Sequence, residues 1–300
     1  LYKKQIAKVR SNIKKNISYT SKDDFEKFVL EIINENIPSI FLENFKSNLD
    51  QVKKETIYPN KPKFIFTSNN FETDEFFKLY TAIKVENGSK YFVGQHGNVY
   101  GTEISSQYYT EYKTCDYFLT WGWKNERKDL PAYIFGEKKI NISPSNNGKI
   151  LFLVEPLCHE DRIDIKINQQ INSLKKNINL INSLPKCIKK NIFIRIMPEQ
   201  VKLNFKKFCI KNNLMFLDTE LILKRNIKNL NFDKRDNSLQ NIMCDYSLVL
   251  HNYDGTGFNE TIYSNFPSSS IWYENFNKYN SKARKKYYQL KLNKVIHSTN

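Results

Sequence analysis

Short apolar runs alternate with amphipathic segments along most of this chain. In the first half, the runs at 63–67, 91–94 and 116–121 are typical of buried strands, and residues 74–85 are typical of a helix. Strands that alternate with helices predict a parallel sheet covered on both faces. We therefore expect an α/β fold.

The alternation lapses around 135–148, where Gly, Pro, Asn and Ser accumulate, and a domain boundary is expected there. Strand patterns resume at 149–154, 191–196, 214–217, 246–250 and 269–272, and helical patterns occupy 165–184, 201–212 and 257–264. Two Rossmann-like domains facing a cleft are predicted, over residues 1–143 and 144–300. The chain begins at Leu1 in a charged helical stretch, so we expect the N-terminal domain to be incomplete.

A further helix is predicted ahead of the first strand. Ser21 followed by Asp24 is typical of a capping box. Phe25, Phe28, Val29, Ile32 and Ile33 recur at the spacing of one helical face ahead of Pro38, which predicts that this face is buried.

Composition narrows the function classes. The net charge of +16 comes from 40 lysines and 7 arginines spread along the chain, which is weak evidence for base recognition. The positive charge would favour phosphorylated ligands or an anionic leaflet. Five cysteines without zinc spacing are expected to be reduced thiols of a cytoplasmic protein, and no apolar run has the length of a membrane span. Neither a metal nor a cofactor is expected.

The segment 93–101 concentrates three of the nine glycines directly behind a predicted strand. Glycine turns at strand ends are where α/β proteins bring backbone amides close to a ligand. The turn also carries His96, and histidine can accept a proton or contact a phosphate near neutral pH. The alternative is a structural turn with a hydrogen-bonded histidine. Glu111 and Asp116 follow this turn and are further candidates.

A second glycine turn, at 254–257, follows the predicted strand that ends near Leu250. A helix that begins there would offer free amides and its positive end to an anion, with the Thr256 hydroxyl as an added donor. Glu260 could accept hydrogen bonds from ribose or sugar hydroxyls. The alternative is that Asp254 or Thr256 simply caps the helix.

Two basic features remain open to two interpretations. Arg195 ends a predicted strand, where its guanidinium would suit a phosphate or carboxylate, or else form a structural salt bridge. Residues 282–288 predict a basic aromatic helix that contacts a membrane surface or presents a solvated face.

Several catalytic signatures are absent from the sequence: the Walker lysine loop, the G-x-G-x-x-G and G-x-S-x-G patterns, zinc spacing and a clear D-x-D pair. NTPases, dehydrogenases, serine hydrolases and zinc enzymes are therefore disfavoured. A transferase that works through helix ends and basic side chains is consistent with what is left.

With these residues in view, the chain resembles the transferases of bacterial O-antigen and surface-carbohydrate gene clusters, which look like GT-B glycosyltransferases. The matching residues lie between about 60 and 297: Gln95-His96-Gly97, Tyr100-Gly101, Glu111, Asp116-Tyr117, Thr120-Trp121-Gly122-Trp123, Arg195, Pro198, Gly255-Thr256-Gly257-Phe258, Glu260, Asn265 and Pro267. Asn98, where a glycine is expected, and Ile196-Met197, where polar residues are expected, depart from the pattern.

The resemblance implies a nucleotide-sugar donor held mainly by the second domain and a glycan or glycolipid acceptor approached from the first. The candidate catalytic residues are His96, Glu111 and Asp116, with His96 as the base or phosphate partner. The candidate donor-binding residues are Gln95, Gly97, Arg195, Gly255, Thr256, Gly257 and Glu260.

The leading hypothesis is metal-independent glycosyl transfer, and a CMP-linked acidic sugar is one donor that would suit the positive charge. The protein is expected in the cytoplasm, and a peripheral position at the inner face of the cytoplasmic membrane is left open. A nucleotide-sugar epimerase or hydrolase on the same scaffold is the first alternative. A basic nucleic-acid-binding protein is the second, and it would require steeply salt-dependent binding.

Overall fold

The computed structural model describes residue 10 and residues 23–54, 57–98, 100–104, 110–132, 141–157, 164–213, 215–273 and 276–298. The chain divides into two compact units. The first comprises Leu1–His96 and Thr110–Leu119, and the second comprises Gly97–Tyr109 and Thr120–Asn300. The second unit is therefore discontinuous in sequence, and the domain limits of 1–143 and 144–300 stay predictions.

The first unit is built around parallel strands. Its strands are β1 (Phe64–Thr67), β2 (Lys90–Gly94) and β3 (Tyr117–Thr120), the last of which ends one residue beyond the unit. Its helices are α1 (Asp24–Asn36), α2 (Phe45–Lys54), α3 (Asn70–Thr73), α4 (Glu75–Glu86) and α5 (Thr110–Thr114). β2 pairs in parallel with β1 and β3. The short strand β4 (Asp129–Pro131) belongs to the second unit. Val93 and Phe118 are fully buried, as expected of central parallel strands.

The prediction of a buried face on α1 is wrong for Phe25, Phe28 and Ile32, whereas Val29 and Ile33 are half-buried. Asp23 caps this helix by accepting a hydrogen bond from the Glu26 amide at 2.9 Å, while Ser21 lies outside the described residues. Phe25 is 72% exposed, and Phe28 and Ile32 are exposed as well. Periodicity predicted the helix correctly, but it does not specify which element, if any, covers its apolar face.

The second unit contains a larger parallel sheet. Its strands are β5 (Ile150–Leu153), β6 (Ile192–Arg195), β7 (Asn231–Phe232), β8 (Leu248–His251), β9 (Ser268–Trp272) and β10 (Ile296–Ser298). Its helices are α6 (Asp164–Ser183), α7 (Lys186–Lys189), α8 (Glu199–Lys211), α9 (Thr219–Asn226), α10 (Leu239–Ile242), α11 (Thr256–Tyr263) and α12 (Ser281–Leu292). Within the described residues the strand order is β10-β9-β8-β5-β6-β7, and every neighbouring pair is parallel. Counted from β5 as the first strand, the order is 3-2-1-4-5-6, the order of Rossmann-type sheets.

Helices cover both faces of this sheet, because adjacent residues of β5 belong to different cores. Phe152 packs with Leu174 and Ile181 of α6 on one face. Leu151 packs with Met243 and with Val249 of β8 on the other. A central strand buried on both faces explains the continuous apolar run at 150–153. The expectation of a mixed α/β fold with parallel sheets is confirmed.

A separate aromatic cluster joins α11 and β9 to α12 and β10. Trp272 lies at its centre, 5.7 Å from the Phe258 ring and 5.0 Å from the Tyr287 ring, measured between centroids. Tyr279 and Phe276 complete the contact with Tyr287. The cluster fixes the last helix of the chain onto the edge of the sheet.

The predicted strand at 214–217 is wrong for its described part, since residues 215–217 form no strand and Leu214 lies outside the described residues. Phe216 instead packs edge-on against Phe205 of α8, at 6.0 Å between ring centroids. The chain reaches the sheet only at β7, a two-residue strand too short to show an alternating pattern. Among the described residues, no helix combines the length and the apolar character that crossing a bilayer requires.

Candidate functional site

In the second sheet, the chain adds strands on one side of β5 as far as β7 and then on the other side from β8 onward. From β5 the chain crosses over α6 to β6, and it later returns on the other side of β5 as β8. The loops that leave these two neighbouring strands therefore diverge to opposite faces. Such a topological switch point leaves a crevice outside the carboxyl ends of the strands, where open α/β sheets bind their ligands. We call the residues at this point, 154–157 and 252–260, the switch-point site.

Polar side chains tie the two strand ends together. The Glu155 amide donates to Asn252 Oδ1 at 2.9 Å, and Asn252 Nδ2 donates to Ser173 Oγ at 3.3 Å. The Glu155 carboxylate accepts from Gln170 Nε2 at 3.1 Å. The buried side-chain amides of Asn252, which follows β8, and of Gln170 on α6 thus fix the two strand ends at the switch-point site.

Helix α11 begins directly at this crevice. Gly255 is its N-cap, and within the described part of the chain no side chain accepts a capping hydrogen bond there. Thr256, the first helical residue, is exposed. An uncapped helix start whose first residue is exposed offers backbone amides, a hydroxyl and a positive potential to an anion. The capping alternative for Asp254 and Thr256 is therefore not what the structure describes.

The two glycines of this turn are required by close packing. A Cβ on Gly255 would lie 2.2 Å from the Tyr253 ring. A Cβ on Gly257 would lie 3.1 Å from Leu153 Cδ1 and 3.2 Å from Leu239 Cδ2. A side chain at position 255 would therefore require the Tyr253 ring to move from its described position.

The side chain of Asp254 anchors the glycine turn at 254–257 through hydrogen bonds. Its carboxylate accepts hydrogen bonds from the Tyr279 hydroxyl at 2.9 Å, from the Tyr287 hydroxyl at 2.8 Å and from Asn98 Nδ2. Burial raises the pKa of this carboxyl above its ordinary value, although the hydrogen bonds and the charge of Lys278 oppose the rise. Sequence reasoning missed these partners of Asp254.

Asn98 is the residue that the resemblance left unexplained. Its Nδ2 also donates to the Asp254 carbonyl at 3.3 Å, and its Oδ1 accepts from Asn259 Nδ2 of α11. A glycine could make neither bond. The departure from the expected glycine was therefore the one sequence signal that could have identified this contact.

The segment that follows Asn98 is fixed in the same way. Asn280 donates from its amide to the Thr102 carbonyl at 2.8 Å and from Nδ2 to the Gly101 carbonyl at 2.7 Å. Gly101 has φ +73°, and a Cβ there would lie 2.4 Å from the Trp123 ring. Trp123 is thus a packing residue of the second unit.

His251, at the end of β8, lies beneath α11 and is 1% exposed. Its Nε2 lies 3.1 Å from Thr261 Oγ1. Because that hydroxyl donates to the Phe258 carbonyl at 2.9 Å, the histidine is the donor in the pair. Burial lowers the pKa of His251 to about 3, so the ring is neutral at neutral pH.

Arg195 lies level with Leu153 and His251 in the register, at the same edge of the sheet as the switch-point site. Its side chain is 6% exposed. The guanidinium donates to the Arg235 carbonyl at 3.0 Å and the Asn237 carbonyl at 2.7 Å, and it pairs with Asp233 at 3.5 Å. Burial lowers the pKa of Arg195, and the Asp233 charge opposes this. These contacts of Arg195 are those of the structural salt bridge that was one of its two interpretations.

Other cations on this side of the sheet are also paired. Glu220 accepts hydrogen bonds from Lys202 at 2.6 Å and Lys224 at 2.5 Å, and it pairs with Lys234 at 2.8 Å. Burial alone would raise the pKa of Glu220, but the three lysines lower it to about 2. Lys202 also pairs with Asp218 at 3.5 Å, and Lys234 with Glu199 at 3.9 Å, so three carboxylates balance the three lysines and little charge is left for a ligand.

The remaining donor candidates of the second unit lie at or near the switch-point site. Glu260 is half-buried one turn into α11, and its carbonyl accepts from the Ser264 amide at 3.0 Å. Gly97 is half-buried, and a Cβ there would meet no atom within 4 Å. Neither position excludes a ligand contact.

In the first unit, Gln95 and His96 follow β2 at the carboxyl end of the sheet. Gln95 is buried and its amide donates to the Leu119 carbonyl at 2.8 Å, while His96 is exposed. A histidine on an exposed turn is accessible to a substrate. Its assignment as a base stays a prediction.

Asp116 and Glu111 occupy a different part of the first unit. The Asp116 carboxylate accepts from the Tyr91 amide at 2.8 Å, so it lies at the amino end of β3. Because β2 and β3 are parallel, Asp116 and His96 are separated along the strands by roughly 10 Å or more. Glu111 is buried. Burial of the Tyr91 hydroxyl, followed by the charges of Cys115 and Glu111, raises the pKa of Tyr91 to about 12. The structure does not bring Asp116 to His96, and both catalytic assignments stay predictions.

A doubly wound parallel sheet with an uncapped glycine turn at its switch point defines a class of α/β proteins that bind ligands at strand ends. Within that class the chain belongs to the LIC12162 family of transferases, whose family model matches residues 2–300. Neither the curated proteins nor the solved structures contain a match to the chain. The family assignment makes the protein a transferase, as the sequence predicted.

Proposed function

We propose that this transferase is a GT-B-like glycosyltransferase that moves a sugar from a nucleotide-sugar donor to a surface-polysaccharide or O-antigen acceptor. The observation that carries the proposal is the exposed, uncapped start of α11 at the switch point of a Rossmann-order sheet, in a chain of a transferase family. A nucleotide diphosphate or monophosphate has the charge that such a helix start stabilises.

In this proposal the donor phosphate contacts the amides of Gly255 to Gly257 and the Thr256 hydroxyl. Glu260, one turn further on, accepts hydrogen bonds from ribose or sugar hydroxyls. Arg195 acts through the 233–237 loop that it holds, since within the described residues its guanidinium makes its hydrogen bonds with that loop. Asp254, Asn98 and Asn259 keep the turn in place.

The proposed reaction is a metal-independent displacement. The bond between the anomeric carbon and the donor phosphate oxygen breaks, and that carbon bonds to an acceptor hydroxyl oxygen. The proton of this hydroxyl passes to His96 as the general base. The positive end of α11 stabilises the charge that develops on the departing phosphate.

The experiment is a thermal-shift screen of the protein against CMP-, UDP-, GDP- and dTDP-sugars, followed by a transfer assay with the donor that stabilises it. His96→Ala is expected to bind this donor normally and to lose turnover. If no nucleotide sugar shifts the melting temperature, the proposal is wrong. Donor consumption without a glycosylated product would instead indicate the epimerase or hydrolase alternative.

A further inference from the structure

The last part of the chain is strongly and uniformly basic. Residues 275–300 contain seven lysine and arginine residues and neither aspartate nor glutamate. Helix α12 carries five of these cations. The even spread of charge over the rest of the chain does not account for a segment that lacks acidic residues altogether.

One face of α12 is committed to the protein. Tyr287 is buried in the aromatic cluster, and Ala283 and Leu290 pack against that cluster. Asn280 caps the helix by accepting a hydrogen bond from the Ala283 amide at 3.0 Å. The helix is therefore held in a fixed orientation, with a defined outer face.

The outer face combines apolar and basic side chains. Lys285, Tyr288 and Leu292 are spaced i, i+3 and i+7, so they lie along one line of the helix. Leu292 is 82% exposed and Tyr288 is 48% exposed. Lys282 and Lys286 are exposed beside this line. We call these five residues the α12 face.

The charges of the α12 face are not compensated within the described residues. Lys285 and Lys286 take part in none of the ion pairs there, and Lys282 contacts only the neutral Asn125 Oδ1, at 3.2 Å. The salt bridge of this segment is made by Lys278, which pairs with Glu103 at 3.3 Å outside the face. An exposed leucine and tyrosine among unpaired lysines match an anionic surface with an apolar interior.

We propose that the α12 face docks on an anionic lipid bilayer, with Leu292 and Tyr288 at the boundary of headgroups and acyl chains and with the lysines among the phosphates. Interfacial helices bind membranes by this combination of buried apolar area and attraction to anionic lipids. Nucleic acid would leave Leu292 without an apolar partner, so the lipid surface is the better match. The inference does not depend on the sugar donor or on the reaction.

The test measures binding of the whole protein to sedimented vesicles at low salt. Vesicles of phosphatidylcholine with about 30% phosphatidylglycerol are compared with pure phosphatidylcholine vesicles, and we expect at least about tenfold tighter binding to the former. Lys285→Glu/Lys286→Glu is expected to weaken binding by about tenfold or more. Leu292→Gln, which keeps a good helix former at an exposed position, is expected to weaken it by about threefold.

The charge-matched control is Lys206→Glu/Lys207→Glu, since both lysines are exposed on α8. This variant should bind the vesicles nearly as well as the unaltered protein. Equal loss in both double variants would overturn the proposal, because binding would then follow net charge alone. Absence of vesicle binding would overturn it too, as would tight binding to duplex DNA that depends on Lys285 and Lys286 but not on Leu292. Circular dichroism establishes that each variant is folded.

Discussion

Two strands of the second sheet, β6 and β8, end at the same edge but present very different groups to a ligand. β6 ends in Arg195, whose guanidinium bonds the 233–237 loop of its own chain. β8 leads into Gly255 and Thr256, where an exposed helix start has no side-chain cap within the described residues.

The difference shows that positive charge alone does not identify a binding site. Arg195 carries a full charge, but buried carbonyls and Asp233 already satisfy it. The start of α11 carries only the partial charge of a helix dipole, yet no side chain of the described residues caps it and Thr256 is exposed. Availability of donors, rather than formal charge, is therefore the better guide along this edge.

The largest effect should come from Arg195→Met. Removing the guanidinium takes a charged donor from the Arg235 and Asn237 carbonyls, while Asp233 keeps its pair with Arg235 at 2.6 Å and its hydrogen bond from the Tyr246 hydroxyl. A hydrogen bond to a charged group contributes about 1.5–3 kcal/mol, so the loss of two should lower the free energy of unfolding by about 3–5 kcal/mol. Urea denaturation measures this, with the exposed Arg225→Met as control. A variant of normal stability that no longer binds the nucleotide sugar would break the comparison, because Arg195 would then be a donor ligand.

Next in size is Thr256→Glu at the other strand end. A carboxylate in the first turn favours the helix, so stability should be kept, whereas repulsion should weaken nucleotide binding by about a hundredfold, or about 2.7 kcal/mol. Titration calorimetry measures the affinity, and the uncharged Thr256→Gln separates charge from side-chain length. Unchanged affinity of Thr256→Glu for the nucleotide sugar would show that the donor phosphate does not bind at the start of α11.

Acid should affect the β8 side through His251. Its folded pKa of about 3 lies below its ordinary value of 6.5, so its neutral form contributes stability above pH 6.5 that is lost as the pH falls toward 3. The loss attributable to this ring should reach about 2 kcal/mol at pH 5. His251→Gln should flatten the slope of unfolding free energy between pH 6.5 and 5. A slope parallel to that of the unaltered protein would contradict the assigned cause.

The smallest effect concerns the support of the glycine turn. Asn98→Ala removes one donor to Asp254 and leaves Asn259 Nδ2 without its acceptor, at a cost of about 1 kcal/mol in unfolding free energy. Asn60→Ala, at an exposed loop position, is the control in the same urea series. If Asn98→Ala weakens donor binding without changing stability, the residue contacts the ligand and its structural role is secondary.

Much of the fold was predictable from local pattern. The apolar run at 149–154 and the helical segment at 165–184 correspond closely to β5 and α6, because both elements bury a continuous face in the cores of the sheet. β7 was missed because a two-residue edge strand has no measurable period. The burial of Phe25, Phe28 and Ile32 on α1 was mispredicted, because amphipathicity is a property of a single helix, whereas burial requires a second element that packs against it.

The candidate site divides in the same way. The glycine turn at 254–257 was found because strand, glycine and helix start are adjacent in sequence. Asn98, Tyr279 and Tyr287 were not found, because each meets Asp254 across a long stretch of chain and has no local signature. Arg195 could be placed at the sheet edge, but its bonding to backbone carbonyls depends on a loop conformation that spacing does not encode.

The link between Asn98 and Asp254 spans 156 residues of chain. During synthesis on the ribosome, a further 156 residues are therefore added after Asn98, up to and including its partner Asp254, and Tyr287 is made later still. Contacts of such large sequence separation slow folding, since a long loop must close before they form. A fragment that starts at residue 144 would lack Asn98 altogether, and the Asp254 carboxylate in the folded fragment would lack the hydrogen bond from the Asn98 amide.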